Sequence, residues 1–235
     1  MSSPAGSGAE RDALLSAISF DVDAYYTARV VRHGATPLGV DWSCQATQAL
    51  RFVQLLKLCD FTKPFSLNDV GCGYGALVPH LAGRHPDCEI DYLGIDLSRA
   101  MIGRARRRFA GPQRRFVVGA KSPRSVDYSV ASGIMNVNVG YSRQVWEAFI
   151  KSMLRQMRET SRRGFAVNFM MAASEGEADD EIGVTRLYRT MPEPWMRICE
   201  TELQCKVELI SNYGMKEFTL LIRCDAAAAS NALQH

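Results

Sequence analysis

Asp69-Val70-Gly71-Cys72-Gly73-Tyr74-Gly75 is the stretch that decides the fold. An apolar approach, Phe65-Ser66-Leu67-Asn68, precedes it, and the run Ala76-Leu77-Val78-Pro79-His80-Leu81 follows. That order predicts a strand, a tight glycine turn and a helix. Glycine has no Cβ and accepts positive φ, so such a turn brings backbone very close to a ligand. The helix behind it offers free N–H groups at its start. The unit is suited to hold a polar small molecule at the carboxyl end of a strand.

The glycine spacing narrows the ligand. A dinucleotide fingerprint wants G-x-G-x-x-G at this turn. Here the pattern is G-x-G-x-G, with Asp69 two residues before the first glycine. A carboxylate there repels a pyrophosphate and suits a cationic amino group. A second acid, Asp96, ends the run Ile90-Asp91-Tyr92-Leu93-Gly94-Ile95, with Leu97 beside it. At the end of a second strand an acid reaches both hydroxyls of a ribose. A ligand with a cationic amino-acid end and a nucleoside end fits both acids, and S-adenosylmethionine has both. An ordinary tight turn and an NAD-type site are the competing readings.

These residues resemble the class I S-adenosylmethionine-dependent methyltransferases, over roughly Phe65 to Met171. The resemblance implies an α/β fold: a Rossmann-like, doubly wound, mostly parallel seven-stranded sheet with an antiparallel final strand. It assigns Asp69, Gly71, Cys72, Gly73, Gly75, Asp96 and Leu97 to the cofactor. Ser132, Gly133 and Ile134 would line its methionine part, and Asn136 would face the transferable methyl. Asn136 has the plainer reading of a turn or helix-entry residue. The family often places an acid after strand three; here Val118-Gly119-Ala120-Lys121 lacks it, leaving the backbone of Ala120. The quartets N-P-P-Y and D-P-P-Y are absent, which speaks against adenine in DNA.

Two flanking runs look like the small stand-alone bacterial members. One is Gly39-Val40-Asp41-Trp42 with Gln45, Gln48, Arg51 and Phe52; the other is Tyr213-Gly214-Met215-Lys216-Glu217-Phe218-Thr219. That likeness would put Trp42 and Arg51 over the cofactor, with Arg51 near its carboxylate. A core tryptophan and a surface arginine are the plain alternative. Tyr25, Tyr26 and His33 would close the pocket from the N-terminal side. His33 is the candidate base, against the reading of an exposed loop histidine.

Periodicity organises the rest. Leu14, Leu15 and Ile18 recur at helical spacing, a break follows at residues 34–39, and residues 47–58 form an amphipathic pattern. Strands are expected at 66–70, 89–95, 115–118, 126–131 and 164–170. Helices are expected at 75–84, 98–109 and 143–160, with Ser98 as an N-cap. Such alternation argues for a parallel sheet with helices on both faces. Strands at 205–210 and 217–224 close the chain. The expected division is a disordered tail at 1–10, a helical cover at 11–62, a core at 63–225 and a second tail at 226–235. An acidic insertion at about 172–202, after strand five, reads as a lid.

The chain has 235 residues, 47% of them hydrophobic, enough for one large domain. No apolar run is long enough to span a membrane, and the small polar start has no signal-peptide core. Seven cysteines without C-x-x-C spacing support neither a zinc site nor a disulfide framework, and four dispersed histidines suggest no metal. Reduced thiols fit a cytoplasmic protein. Net charge is +3, yet Arg99, Arg104, Arg106, Arg107, Arg108, Arg114, Arg115, Lys121 and Arg124 share one stretch without an acid. A solvated helix face explains them, and nucleic-acid binding is the rival. The sequence leads to a cytoplasmic methyltransferase acting on a small molecule, as monomer or homodimer. An RNA methyltransferase and a non-catalytic cofactor-binding module are the alternatives.

Overall fold

A computed structural model describes residues 8–40, 45–173, 180–182 and 185–224. Two helices lead in, α1 (Gly8–His33) and α2 (Gln45–Leu56), with a 3-10 turn at Pro37–Val40 between them. The core alternates as β1 (Phe65–Val70), α3 (Leu77–Arg84), β2 (Ile90–Asp96), α4 (Arg99–Phe109), β3 (Arg114–Val118), β4 (Val126–Ala131), α5 (Arg143–Thr160) and β5 (Ser161–Met171). Short strands β6 (Asp180–Ile182), β7 (Thr185–Leu187) and β8 (Arg189–Thr190) follow. The chain then ends in α6 (Pro192–Thr201), β9 (Cys205–Ile210) and β10 (Glu217–Cys224).

The main sheet runs β3-β2-β1-β4-β5-β10-β9, and β8 pairs with β5 off that path. β1 to β5 pair in parallel, while β10 is antiparallel to both β5 and β9. The strand order reverses between β1 and β4, so the carboxyl ends of these strands flank a crevice. Both faces are covered, and β1, β4 and β10 are accordingly buried along most of their length. One apolar cluster packs α5, α6 and Ile18 of α1 against the sheet; the other packs α2, α3 and α4.

The connection from β3 to β4, residues 119–125, carries no helix. It is pinned by polar bonds instead. Asn68 Nδ2 donates to Ser122 Oγ at 2.8 Å, and Arg124 Nη2 donates to the Asp91 carbonyl at 2.8 Å.

Two boundaries differ from the sequence reading. Helix α1 already begins at Gly8, inside the stretch expected as tail. The helical layer also resumes at Pro192, inside the expected insertion. Pro192 presets the first turn of α6, and Trp195 stacks on Phe169 with ring centroids 5.3 Å apart. Between β5 and α6 the described residues hold β8 beside β5 and the pair β6 and β7, which form a small antiparallel sheet of their own. Residues 1–7 and 225–235 lie outside the described residues, as do parts of the insertion.

Candidate functional site

The glycine turn is built as its spacing requires. Gly71, Gly73 and Gly75 have φ of 73°, 54° and 86°, in the left-handed region. At Gly71 a Cβ would stand 2.2 Å from Cγ2 of Ile134, so only glycine lets the β1 and β4 loops approach so closely.

The two acids sit on either side of that turn. Asp96 is anchored through both oxygens: Gly73 N–H donates to Oδ2 and Ser98 N–H to Oδ1, each at 2.8 Å. Each oxygen retains a second lone pair for a ligand hydroxyl. Burial pushes Asp96 up to about 6, against the pull of those two bonds. Burial likewise raises Asp69 to about 7, although Tyr92 Oη–H donates to its Oδ2 at 2.6 Å. Two carboxyls held above their ordinary range, beside a glycine turn, form a site that gains from a cationic, hydroxyl-bearing ligand.

A cavity of about 670 Å³ opens over this wall. Asp69, Gly71, Cys72 and Gly73 line it, as do Asp96, Leu97 and Ala120. Ser132, Gly133 and Ile134 reach it from the end of β4. Gly75 is off the lining; its would-be Cβ faces Phe109 of α4 at 2.9 Å. Helix α1 crosses the mouth and contributes Val22, Asp23 and Tyr26. It is tied down beside Asp96: the Thr27 and Ser98 hydroxyls are 2.6 Å apart, and Thr27 Oγ1–H donates to Asp23 Oδ1 at 2.9 Å. Because that proton is engaged, the Ser98 hydroxyl is the donor to Thr27.

Besides Gly75, three residues expected in the site are off the cavity lining, and Trp42 lies outside the described residues. His33 ends α1 away from the cavity lining, and its carbonyl accepts from Thr36 Oγ1 at 2.9 Å. Asn136 is buried, and its Oδ1 accepts from Met170 N–H at 3.2 Å. Its carbonyl accepts from Tyr188 N–H at 2.8 Å, so it joins β4, β5 and the insertion. Arg51 is also buried; its Nε donates to Glu217 Oε2 at 2.6 Å, and its Nη2 pairs with Oε1. The guanidinium fork is therefore turned to a protein carboxylate, not to the cavity.

That pairing reveals a relay the sequence reading missed. Glu217 Oε2 also accepts from Asn168 Nδ2 at 3.2 Å, and Asn168 Oδ1 accepts from Gly133 N–H at 2.8 Å. Arg51 of α2, Glu217 of β10 and Asn168 of β5 thus hold the cavity loop after β4 in place. The two flanking runs singled out in the sequence meet at this ion pair. Asn168, in the interior of the apolar β5, was the local signal available: a buried polar residue demands partners.

Five of the nine basic residues of that stretch meet partners inside the chain. Arg106 donates to the Phe116 carbonyl, Arg115 and Arg124 pair with Asp91, and Arg104 donates to the Ala100 carbonyl. Arg108 lies over the Tyr74 ring. Among the described residues no cluster of His, Cys, Asp or Glu is arranged to hold a metal ion. None of the described helices is long and apolar enough to cross a membrane.

Comparison with known proteins agrees with this architecture. A methyltransferase-domain family matches residues 68–164. A Mycobacterium tuberculosis (strain H37Rv) protein named as a methyltransferase is 37% identical over 171 residues, 72% of this chain and 98% of that protein. Among solved structures, the DhpI-SAM-HEP complex superposes with a TM-score of 0.62 at 14% identity, covering 88% of this chain and 98% of that one. Magnesium protoporphyrin IX methyltransferase from Synechocystis PCC 6803 with bound SAH gives 0.59 at 14% identity, covering 90% of this chain and all of the other. The glycine turn, the acid at the end of β2, the sheet order and the extent of the sequence match together place this chain in the class I S-adenosylmethionine-dependent methyltransferase family.

Proposed function

We propose that this protein transfers a methyl group from S-adenosylmethionine to a small-molecule acceptor by direct in-line displacement. The observation that carries the reading is the placement of Asp69 and Asp96 on one cavity wall, with the positive-φ glycines between them. Bound there, the cofactor supplies a methyl group on a cationic sulfonium. Asp96 accepts from the ribose hydroxyls, and Asp69 supplies negative potential for the amino-acid end. Ile134 and Gly133 line the methionine portion, and Leu97 and Ala120 the adenine. Helix α1 covers the mouth and restricts water. Such a displacement needs donor and nucleophile held in line at about 3–3.5 Å and requires no covalent protein intermediate.

A small-molecule acceptor fits the enclosed cavity better than RNA does, because so many of the arginines that would track a phosphate backbone are bonded within the chain. Scattered free thiols are in keeping with the cytoplasm as its location. Calorimetric titration with S-adenosylhomocysteine, with NAD as control, tests the cofactor. Micromolar binding to the former alone is expected, and a preference for NAD would remove the proposal. Measurable RNA affinity with a steep salt slope would redirect it to nucleic acid.

A further inference from the structure

The cavity extends well beyond the acid–glycine wall. Its lining on α1 runs from Gly8 to Tyr26, eighteen residue steps that rise roughly 27 Å at about 1.5 Å each. The Tyr26 end packs with Tyr74 and Met101 beside the cofactor wall. The other end faces α5. Leu15 and Val22 of α1, Met153 of α5 and Ile134 all pack against one apolar cluster that contains Phe149 of α5. Ile134 belongs to both halves, since it also presses on Gly71.

We propose that the half between α1 and α5 is the acceptor chamber, and that it takes an uncharged small molecule with an apolar body and a nucleophilic nitrogen or sulfur that reacts as the neutral species. This rests on the S-adenosylmethionine reading above. Its first support is position: the chamber meets the cofactor half at Ile134, on the methionine wall where the methyl is delivered. Its second is wall chemistry. Apolar side chains alternate with Ser16, Ser19, Ser152 and Gln156, while Arg11 and Asp12 stand at the far end, in the exposed first turns of α1. Between that end and Asp23 a charged acceptor would lose its hydration with no charged side chain on the described α1–α5 walls to compensate it.

The hydroxyls add a preference. Ser16 and Ser19 donate to the Asp12 and Leu15 carbonyls at 2.9 Å each. Their protons are used on the helix, so they offer lone pairs to a donor on the acceptor molecule. Among the described residues the α1–α5 walls carry no histidine, lysine or glutamate, and their aspartates stand at the two ends, Asp12 in the exposed first turns of α1 and Asp23 bonded to Thr27 near Asp96. Between those ends the described residues offer no base, which favours an attacking atom that brings its own lone pair. The nitrogen or sulfur lone pair forms the new bond to the methyl carbon. The carbon–sulfonium bond breaks, and its electron pair stays on sulfur as neutral S-adenosylhomocysteine. The positive charge moves to the acceptor, which sheds a proton to water where it has one.

Quinoline is the test probe, a neutral nitrogen heterocycle, with its carboxylated analogue quinaldate as the charged control. Saturation-transfer NMR on protein loaded with S-adenosylhomocysteine reads both. Quinoline is expected to bind, and quinaldate to bind about tenfold more weakly. Ser152→Trp fills the chamber and should reduce quinoline binding about tenfold while S-adenosylhomocysteine affinity stays within about twofold. Ser16→Tyr, on an exposed position of α1, gives the same readout without touching the core. Quinoline binding that survives both substitutions, or equal binding of quinaldate, overturns the chamber. Failure of the unmodified protein to bind S-adenosylhomocysteine overturns the cofactor reading instead.

Discussion

At the scale of single residues, Asp96 carries the clearest consequences. Its carboxylate is fully engaged with backbone on one side and open to the cavity on the other. Asp96→Ala removes the charge-assisted bonds to ribose and should weaken S-adenosylhomocysteine binding by about 1.5–3 kcal/mol, as measured by calorimetry. Unchanged affinity would refute the assigned role. The raised value of about 6 adds a pH dependence. Ribose hydroxyls donate to the ionised carboxylate, so binding favours that form and lowers its value. On this group's account the affinity is complete from about pH 7, about half of that at pH 6, and roughly tenfold lower at pH 5. Titrations at pH 5 and 7 in buffers of different ionisation enthalpy should show this fall, with protons released on binding near pH 6. Asp69, raised to about 7, extends the same trend upward.

At the scale of elements, α2, β5 and β10 are fastened to the cavity loop by the Arg51–Glu217–Asn168 relay. Removing one member of a buried ion pair leaves the other charge without compensation. Glu217→Ala should cost about 3–5 kcal/mol in urea unfolding. Arg51→Met with Glu217→Leu should recover much of that loss, because an apolar pair of similar volume needs no partner. Helix α1 is held differently. Of its 26 residues only Ile18 and Val30 are buried. Its other fastenings are the half-buried Leu15, Val22 and Tyr26 and a few polar bonds, chiefly Thr27 to Ser98 and Tyr141 Oη–H to Asp21 at 2.6 Å. Elements with few buried contacts open at low free energy. Amide exchange in α1 should therefore be faster than in β1 or β4. Thr27→Ala should speed it further, with the strand amides unchanged, and bound S-adenosylhomocysteine should slow it.

At the scale of the whole molecule, two apolar clusters cover opposite faces of one sheet. Neither face has a sheet of its own, so the core should unfold in one cooperative transition. A ligand that binds only the folded state adds about 2.7 kcal/mol at a hundred times its dissociation constant. Calorimetry with and without S-adenosylhomocysteine should show a single peak that moves up. Two separable peaks would mean that the faces unfold independently.

The sequence by itself determined the strand–turn–helix at Asp69–Gly75, the acid after β2, Ser98 as N-cap, and β4, α5, β9 and β10 to the residue. These depend on backbone conformation, capping and periodicity, which act over a few neighbouring positions. Tertiary structure alone decided which way the polar side chains turn. Arg51 meets Glu217 across 166 positions, so nothing near it in the chain announces that its fork is occupied. Asn136 sits at the expected strand end, but the packing of the insertion directs it to backbone on β5. His33 fell away from the cavity because α1 runs past the mouth before it ends. The far half of the cavity exists only because α1, at the start of the chain, is laid beside α5, more than a hundred residues later. Local propensity specifies each of these helices, and the packing of Ile18, Leu15 and Val22 into the cluster that holds Trp146, Phe149 and Ile150 brings them together.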